Sequence, residues 1–256
     1  MRDDRLRPAL IDHRPQPNLN ACGFYHALDL PGVGPKTLSW EWDLRDGIDR
    51  YLGGFDFEGK SVLEVGPASG FITATICRAG GDVISVELPE DVPWEFVPNV
   101  ALDRESIERE RITVMTALKN GFWYTHNALG LSSRVLYGSV SDLPDRLRFD
   151  VAVLAAVLLH VRDPLAMLAA CAERTEEAII VVERDFPELS ATRGPVCRLV
   201  PSATNGVWHT WWDFSPVALV QFLEVLGFGE AVVTHHQQRH RSGMMPMFTV
   251  VARRSR

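Results

Sequence analysis

Short apolar segments alternate with segments of helical spacing along most of this 256-residue chain. Strands that alternate with helices form a parallel sheet with helices on both faces. The last two strands have no helix between them, which predicts an antiparallel hairpin at one edge of a doubly wound α/β sheet. The predicted strands are 61–65, 82–86, 134–137, 150–154, 178–182, 231–235 and 247–252, and the predicted helices are 38–52, 71–79, 108–129, 163–174 and 215–227.

Two aromatic segments fall outside this alternation, at about 94–126 and 186–212. We expect both to be insertions, and we expect the helix over 108–129 to be interrupted near Gly121. Residues 1–37 are charged, contain several prolines and lack an apolar period, so they are predicted to be an N-terminal arm and linker. Residues 38–256 form the predicted globular domain.

Composition excludes several classes of protein. Hydrophobic residues make up 46% and charged residues 23%, which is typical of an ordered globular chain. No apolar run approaches the roughly 20 residues that span a bilayer, and the N-terminus lacks a signal-peptide pattern, so we expect a cytoplasmic protein without membrane association. The four cysteines form no C-x-x-C pair, and the histidines at 235, 236 and 240 have no cysteine or carboxylate at ligand spacing, so no metal site is predicted.

The strongest chemical signal is a glycine-bearing loop between the first strand of the alternation and the helix that follows it. The chain reads Glu64-Val65-Gly66-Pro67-Ala68-Ser69-Gly70. Glycine permits a tight turn and close approach of a ligand, and the helix N-terminus supplies unpaired N–H groups. A dinucleotide-binding G-x-G-x-x-G motif would need glycine where Ala68 and Phe71 stand, which disfavours a nicotinamide oxidoreductase. The next strand ends at Glu87, where a carboxylate can accept both hydroxyls of a ribose.

This E-x-G-x-x-x-G pattern resembles motif I of the class I methyltransferases that depend on S-adenosylmethionine (SAM). The resemblance extends over about 40–255 and implies their Rossmann-like fold, SAM as cofactor and methyl transfer as activity. It implies that Glu64 holds the methionine amino group, that the glycines pass beneath methionine and ribose, and that Glu87 and Leu88 meet ribose and adenine. The segments Tyr137–Pro144 and Phe149–His160 resemble later motifs of the family, although Ser139 stands where many members have aspartate. The implied cofactor-binding residues are Glu64, Gly66, Pro67, Ala68, Ser69, Gly70, Glu87, Leu88, Ser139, Val140 and Ala155.

Two groups within the family share partial likeness with the chain. The run from Phe149-Asp150 through an apolar stretch to His160 is similar to the tRNA wobble-uridine carboxymethyltransferases. Other similar sequences resemble small-molecule and sugar methyltransferases of unassigned substrate. The formal charge of −7 and the absence of a basic stripe favour a small-molecule acceptor, a secondary metabolite or a sugar, over nucleic acid. A tRNA-modifying enzyme and a non-catalytic SAM-binding module remain the alternatives.

Candidate catalytic and acceptor-binding residues come from histidines and aromatic clusters. His160 follows the fourth strand of the alternation, at the edge where such sheets bind ligands, and is the leading general base. It has two alternative roles, in capping the turn before Asp163-Pro164 or in orienting a ligand. His126 is the second candidate base, although it also fits a core helix with one surface histidine. The predicted aromatic pocket wall consists of Trp123, Tyr124, Trp208, His209, Trp211 and Trp212, and the alternative is that these rings pack the insertions onto the sheet.

Overall fold

The computed structural model describes residues 9–34, 40–89, 92 and 95–255. Within these ranges the strands form a nine-stranded sheet, in the order β1-β5-β4-β3-β6-β7-β11-β10-β2, and a separate pair, β8-β9. The strands are β1 Leu10–Ile11, β2 Trp42–Asp43, β3 Ser61–Val65, β4 Asp82–Glu87, β5 Arg134–Tyr137, β6 Phe149–Ala155, β7 Thr175–Arg184, β8 Cys197–Leu199, β9 Trp212–Phe214, β10 Glu230–His240 and β11 Gly243–Arg253. The helices are α1 Ile48–Tyr51, α2 Phe71–Arg78, α3 Arg104–Leu129, α4 Pro164–Ala172, α5 Pro187–Ser190 and α6 Pro216–Val225.

The centre of the sheet is parallel and buried on both faces. β5, β4, β3, β6 and β7 pair in parallel, and the hairpin β10–β11 joins β7 in the antiparallel sense. Successive residues of a strand point to opposite faces, so Leu63 and Leu154 pack into one apolar cluster while Val62 and Val153 pack into the other. The predicted doubly wound α/β sheet with an antiparallel edge is confirmed.

The predicted helix over 38–52 is wrong for most of the segment that the structure describes. Only Ile48–Tyr51 is helical, and residues 38 and 39 lie outside the described ranges. Trp42–Asp43 instead pairs with Arg239 and His240 of β10. An isolated short helix is marginal because its first turn is costly to form, whereas the end of the hairpin offers backbone hydrogen bonds directly.

Helix α3 corrects two further expectations. It runs from Arg104 to Leu129 without a break at Gly121. It also connects β4 with β5, so the segment 104–126 is the regular crossover between parallel strands, not an insertion. The glycine serves a packing need, because a Cβ atom at Gly121 would lie 2.1 Å from the carbonyl oxygen of Gly23. Glycine there allows the N-terminal segment to lie directly on the helix.

Residues 21–30, which we call the strap, cross from helix α3 to β2. The Gly23 N–H donates to the Ala117 carbonyl at 2.7 Å, and the Ala27 N–H donates to the Trp42 carbonyl at 2.7 Å. Between them, the Tyr25 N–H donates to the Ser69 hydroxyl at 3.1 Å. The strap is therefore fixed to α3, to β2 and to the loop before α2.

We expect Gly121→Ala to destabilise the protein, although alanine is the better helix former by up to about 1 kcal/mol. The new Cβ would collide with the Gly23 carbonyl, and such overpacking typically costs about 1–3 kcal/mol. Urea denaturation followed by circular dichroism measures the free energy of unfolding. The control is Thr116→Ala, at an exposed position of the same helix, which should change that free energy by less than about 0.5 kcal/mol. Equal stability of the two variants would contradict the proposed packing constraint.

No helix among the described residues is both long and apolar enough to cross a membrane.

Candidate active site

A cavity of about 490 Å³ opens where the parallel strands end at their carboxyl termini. Open α/β sheets bind ligands at this edge, and small-molecule pockets usually measure about 300–1,000 Å³. Residues from the ends of β3, β4, β5 and β6 line it together with residues of the strap, α3 and α4. The sequence-predicted residues in its wall are Gly66, Ala68, Glu87, Leu88, Ser139, Val140, Ala155 and His160.

The loop after β3 forms the middle of the cavity floor. Gly66 has a φ of +73° and Gly70 has a φ of +86°, a conformation that glycine adopts readily. Ala68 and Ala156 also have positive φ values, 49° and 54°, and both line the cavity. A non-glycine residue held in this region carries backbone strain that recurs at ligand sites. Pro67, Ser69 and Gly70 belong to the same loop but lie behind the wall.

One half of the cavity, the β4–β5 half, lies over the ends of those two strands. Glu87 ends β4, and its carboxylate accepts the Leu88 N–H at 2.8 Å. Burial raises the pKa of Glu87, while backbone N–H groups and the nearby Lys119 ammonium oppose that rise. The side chain of Ser139 is already engaged within the protein, because it forms a capping box with Asp142. Apolar side chains such as Leu88 and Met167 complete this half.

Glu64 lies beneath the loop and does not reach the cavity. Its Oε2 accepts the hydroxyl protons of Thr73 at 2.6 Å and Ser85 at 2.7 Å, which ties β3 to α2 and β4. Among the described residues, no donor reaches its buried Oε1. Burial raises the pKa of Glu64 to about 7. The neighbouring residue Val65 lines the cavity, so the alternation of the strand turns Glu64 away from it. The contact of Glu64 with a ligand amino group, which the resemblance implied, stays a prediction.

The opposite half, which we call the aromatic half, is built by Tyr25 and His26 of the strap, Trp42 of β2 and Tyr51 of α1. The Trp42 Nε1–H donates to the Tyr25 hydroxyl oxygen at 3.2 Å. Tyr51 is 3% exposed, and burial raises the pKa of its phenol. The sequence did not predict Tyr25, His26 or Tyr51 as site residues. The only signal was the aromatic run from Phe24 to His26 in an otherwise polar arm.

His160 lies in a 3-10 turn, Leu158–His160, between β6 and α4, and its ring lines the cavity. Its Nδ1–H donates to the His209 carbonyl. Because burial lowers the pKa of His160 to about 3, the ring is neutral, and the lone pair of this tautomer lies on Nε2. The turn is held from two sides, since the Leu159 N–H donates to the buried Glu183 carboxylate at 3.3 Å and the Leu159 carbonyl accepts the Trp211 N–H at 2.7 Å.

The comparisons with known proteins agree with this geometry. Residues 41–224 match the family model of a methyltransferase domain. The chain belongs to this methyltransferase family. The N-terminal domain of EvdMO1, solved in the presence of S-adenosylhomocysteine (SAH) and D-fucose, is 21% identical over 90% of each chain with a TM-score of 0.51.

Two further solved structures share the fold. The magnesium protoporphyrin IX methyltransferase ChlM from Synechocystis PCC 6803, with bound SAH, is 13% identical over 82% of this chain and 81% of its own, with a TM-score of 0.52. A SAM-dependent methyltransferase from Methanosarcina mazei is 16% identical over 81% of this chain and 96% of its own, with a TM-score of 0.51. A search of curated protein sequences finds no match. The predicted class I methyltransferase family, its fold and its SAM cofactor are confirmed.

The cavity of this methyltransferase fits SAM by its own chemistry. A purine ring needs apolar walls, which Leu88, Val140 and Met167 provide in the β4–β5 half. A ribose needs a hydrogen-bond acceptor, which the Glu87 carboxylate provides at the end of β4. A Cβ atom at Gly66 would lie 2.9 Å from Val157 Cγ2, so the glycine keeps this part of the cavity floor open.

The insertion at 186–212 surrounds the turn of His160 without lining the described part of the cavity. The Trp211 Nε1–H donates to the Glu95 carbonyl at 2.7 Å, and the Trp212 Nε1–H donates to the Arg162 carbonyl at 3.1 Å. The Arg111 guanidinium lies 5.1 Å from the centre of the Trp208 ring. The predicted acceptor wall of Trp208, His209, Trp211 and Trp212 therefore stands behind the methyltransferase cavity. The indole N–H groups of Trp211 and Trp212 are used to bind the backbone of the rim.

The aromatic residues of α3 also lie away from the methyltransferase cavity. Trp123 is 1% exposed, and its Nε1–H donates to the Tyr137 hydroxyl at 2.9 Å. Tyr124 packs edge-on against Phe24 with ring centres 6.3 Å apart. His126 is buried, and its Nε2–H donates to the Ser133 carbonyl at 3.0 Å. The structure therefore does not bring Trp123, Tyr124 or His126 to the site, because they belong to the core-packed part of a crossover helix.

Proposed function

We propose that this methyltransferase transfers a methyl group from SAM to an oxygen or nitrogen atom of a small ring-shaped acceptor, a secondary metabolite or a sugar. The observation that carries the proposal is the division of one cavity into two chemically different halves. The β4–β5 half offers a carboxylate and apolar walls, and the aromatic half offers three aromatic rings and the neutral His26, with the neutral His160 also in the cavity wall. The first half suits adenosine, and the second suits the methionine end of the cofactor together with a compact acceptor.

In this proposal the cofactor lies along the loop after β3. Glu87 would accept the ribose hydroxyls, Leu88 and Val140 would contact adenine, and Gly66 and Ala68 would hold the amino-acid chain. Bound SAM supplies an electrophilic methyl group on a positively charged sulfur. The residues of the chain bind and orient the two ligands and exclude water.

The aromatic half favours this chemistry electrostatically. An aromatic ring stabilises a sulfonium less than an unpaired carboxylate would, so it opposes the loss of that charge less. The acidic group next to this half, Glu95, is engaged, since its Oε2 accepts the Arg162 N–H at 2.9 Å and its Oε1 lies 3.4 Å from the Arg162 guanidinium. The neutral His160 can accept the proton of an acceptor hydroxyl or amine at Nε2.

We expect Glu87→Ala to weaken the binding of both SAM and SAH by about tenfold or more, since hydrogen bonds to a charged group contribute about 1.5–3 kcal/mol. Isothermal titration calorimetry measures both affinities. Asp82→Ala is the matched control, because Asp82 begins the same strand at its opposite, exposed end and pairs with Arg134 at 3.2 Å. Equal affinities in the two variants would contradict the ribose assignment.

The acceptor class is tested by measuring SAH release from SAM with a panel of sugars, phenols and nitrogen heterocycles, and in parallel with total tRNA at low salt. We expect release with a small molecule and none above background with tRNA. Stimulation by tRNA alone would show that the acceptor class is wrong. Tight SAM binding without SAH release from any acceptor of either class would favour the non-catalytic module.

A further inference from the structure

We propose that His26 of the strap binds the carboxylate at the methionine end of SAM. The inference deepens the proposed function, and it rests on the placement of adenosine in the β4–β5 half. It assigns a ligand contact to the N-terminal segment, outside the part of the chain that matches the family model.

The position of His26 is the first support. Its ring lines the cavity and lies 5.5 Å, centre to centre, from the ring of Phe71, the first residue of α2. The preceding residue, Tyr25, is bonded through its N–H to Ser69 in the loop before that helix. The strap therefore holds the imidazole beside the N-terminal end of α2. A cofactor with its ribose at Glu87 extends its amino-acid chain toward this place.

The charges around the cavity are the second support. Among the described lining residues there is no lysine or arginine. Three carboxylates are present: Glu87 in the other half, Glu95 beside Arg162, and Asp163, whose side chain caps α4 by accepting the Ala166 N–H. Arg111 acts electrostatically on Tyr25 and His160 but does not line the cavity, so the donors that the wall offers to a ligand carboxylate are neutral. The start of α2, with no acidic residue in its first turn, and the His26 imidazole are suitable ones.

The state of His26 is the third support. The residue is 6% exposed, and burial lowers the pKa of its imidazole to about 3, so the ring is neutral and carries one N–H donor. Among the described residues, its buried Nδ1 has no hydrogen-bond partner. Buried polar atoms without partners are uncommon and frequently mark ligand or functional sites. Because Nδ1 is closed off from the cavity, the one N–H that a bound carboxylate could accept is that of Nε2.

The test compares three ligands by isothermal titration calorimetry: SAH, decarboxylated SAH (which keeps the amino group), and 5′-methylthioadenosine (which lacks the whole amino-acid chain). His26→Phe keeps a ring against Phe71 and removes the donor. We expect this variant to bind SAH about tenfold more weakly than the unaltered protein, with the other two affinities changed by less than about twofold. His26→Gln, which restores an N–H donor, should recover part of the lost affinity for SAH. His13→Phe is the matched control, since His13 is an exposed histidine of the same arm outside the cavity.

Each other result overturns the inference. A parallel loss for all three ligands would mean that His26 only packs the strap. Equal losses for SAH and decarboxylated SAH, with 5′-methylthioadenosine unaffected, would place the contact at the amino group. Unchanged affinities would exclude any contact. If the unaltered protein binds none of the three ligands, the proposed function fails together with this inference, whereas the other outcomes leave the proposed function intact.

Discussion

Gly66→Val is expected to abolish measurable binding of SAM and SAH, a loss of at least about 100-fold. Gly66 has a φ of +73°, a region that costs an L-residue about 1–2 kcal/mol. Its Cβ would lie 2.9 Å from Val157 Cγ2. Both residues line the cavity, so the valine side chain would occupy the floor that the ligand chain must cross.

Calorimetry with both ligands measures this loss, and a matched variant separates blockage from backbone strain. Gly59→Val introduces the same side chain at a φ of +68°, with no atom within 4 Å of the new Cβ and no contact with the cavity. We expect it to lower the free energy of unfolding and to leave the two affinities within about threefold of the unaltered protein. An affinity for SAH in Gly66→Val that matches the Gly59→Val value would exclude a role for the loop in holding the ligand.

The sheet was predictable because its signal is local. β3, β4 and β6 are buried on both faces, so each is a continuous apolar run bounded by turn residues. Gly66 follows β3 and Glu87 ends β4. Because parallel strands present their carboxyl ends together, both residues could be placed at one edge of the sheet. The part of the site that depends on consecutive residues was therefore available from the sequence, and it corresponds to the β4–β5 half of the cavity.

The aromatic half was not predictable, because it is assembled by contacts between distant segments. Tyr25 and His26 reach the cavity because Gly23 lies directly on Gly121, nearly a hundred residues away in the chain. The sequence of the arm has no apolar periodicity from which that contact could be predicted. Trp42 lies in a segment with helical spacing of apolar residues, but in the structure it pairs with β10 at the edge of the sheet. The available signal was an unexplained aromatic run in a polar segment.

The misplaced tryptophans show a related limit of sequence reasoning. A tryptophan in the sequence does not reveal whether its ring lies in the core, at the rim of a cavity or in a pocket wall. Its N–H group distinguishes these places, because a buried indole normally finds a hydrogen-bond partner. For Trp123 the partner is the hydroxyl of Tyr137, and for Trp211 it is the carbonyl of Glu95. Both partners are visible only in the folded chain.

We expect His160→Ala to lower kcat for the acceptor found in the SAH-release panel by about 100-fold, while the affinity for SAH stays within about threefold. General-base catalysis contributes about 10²–10⁴-fold, and a base is most effective when its pKa lies near the working pH. Burial lowers the pKa of His160 to about 3, well below the ordinary histidine value near 6.5. The expected effect therefore lies at the lower end of that range.

The pH profile gives the second readout, and its sign follows from the same shift. A base must be unprotonated to act, and His160 with a pKa of about 3 keeps its lone pair far below neutrality. We therefore expect that protonation of His160 causes no fall in the rate of the unaltered protein near pH 6.5. A base of ordinary histidine pKa would cause such a fall, and His160→Ala would remove it. His209→Ala is the matched control, because it removes a neighbouring imidazole and keeps the backbone carbonyl that accepts the His160 Nδ1–H. A kcat of His160→Ala close to that of His209→Ala would leave His160 with the turn-capping role alone.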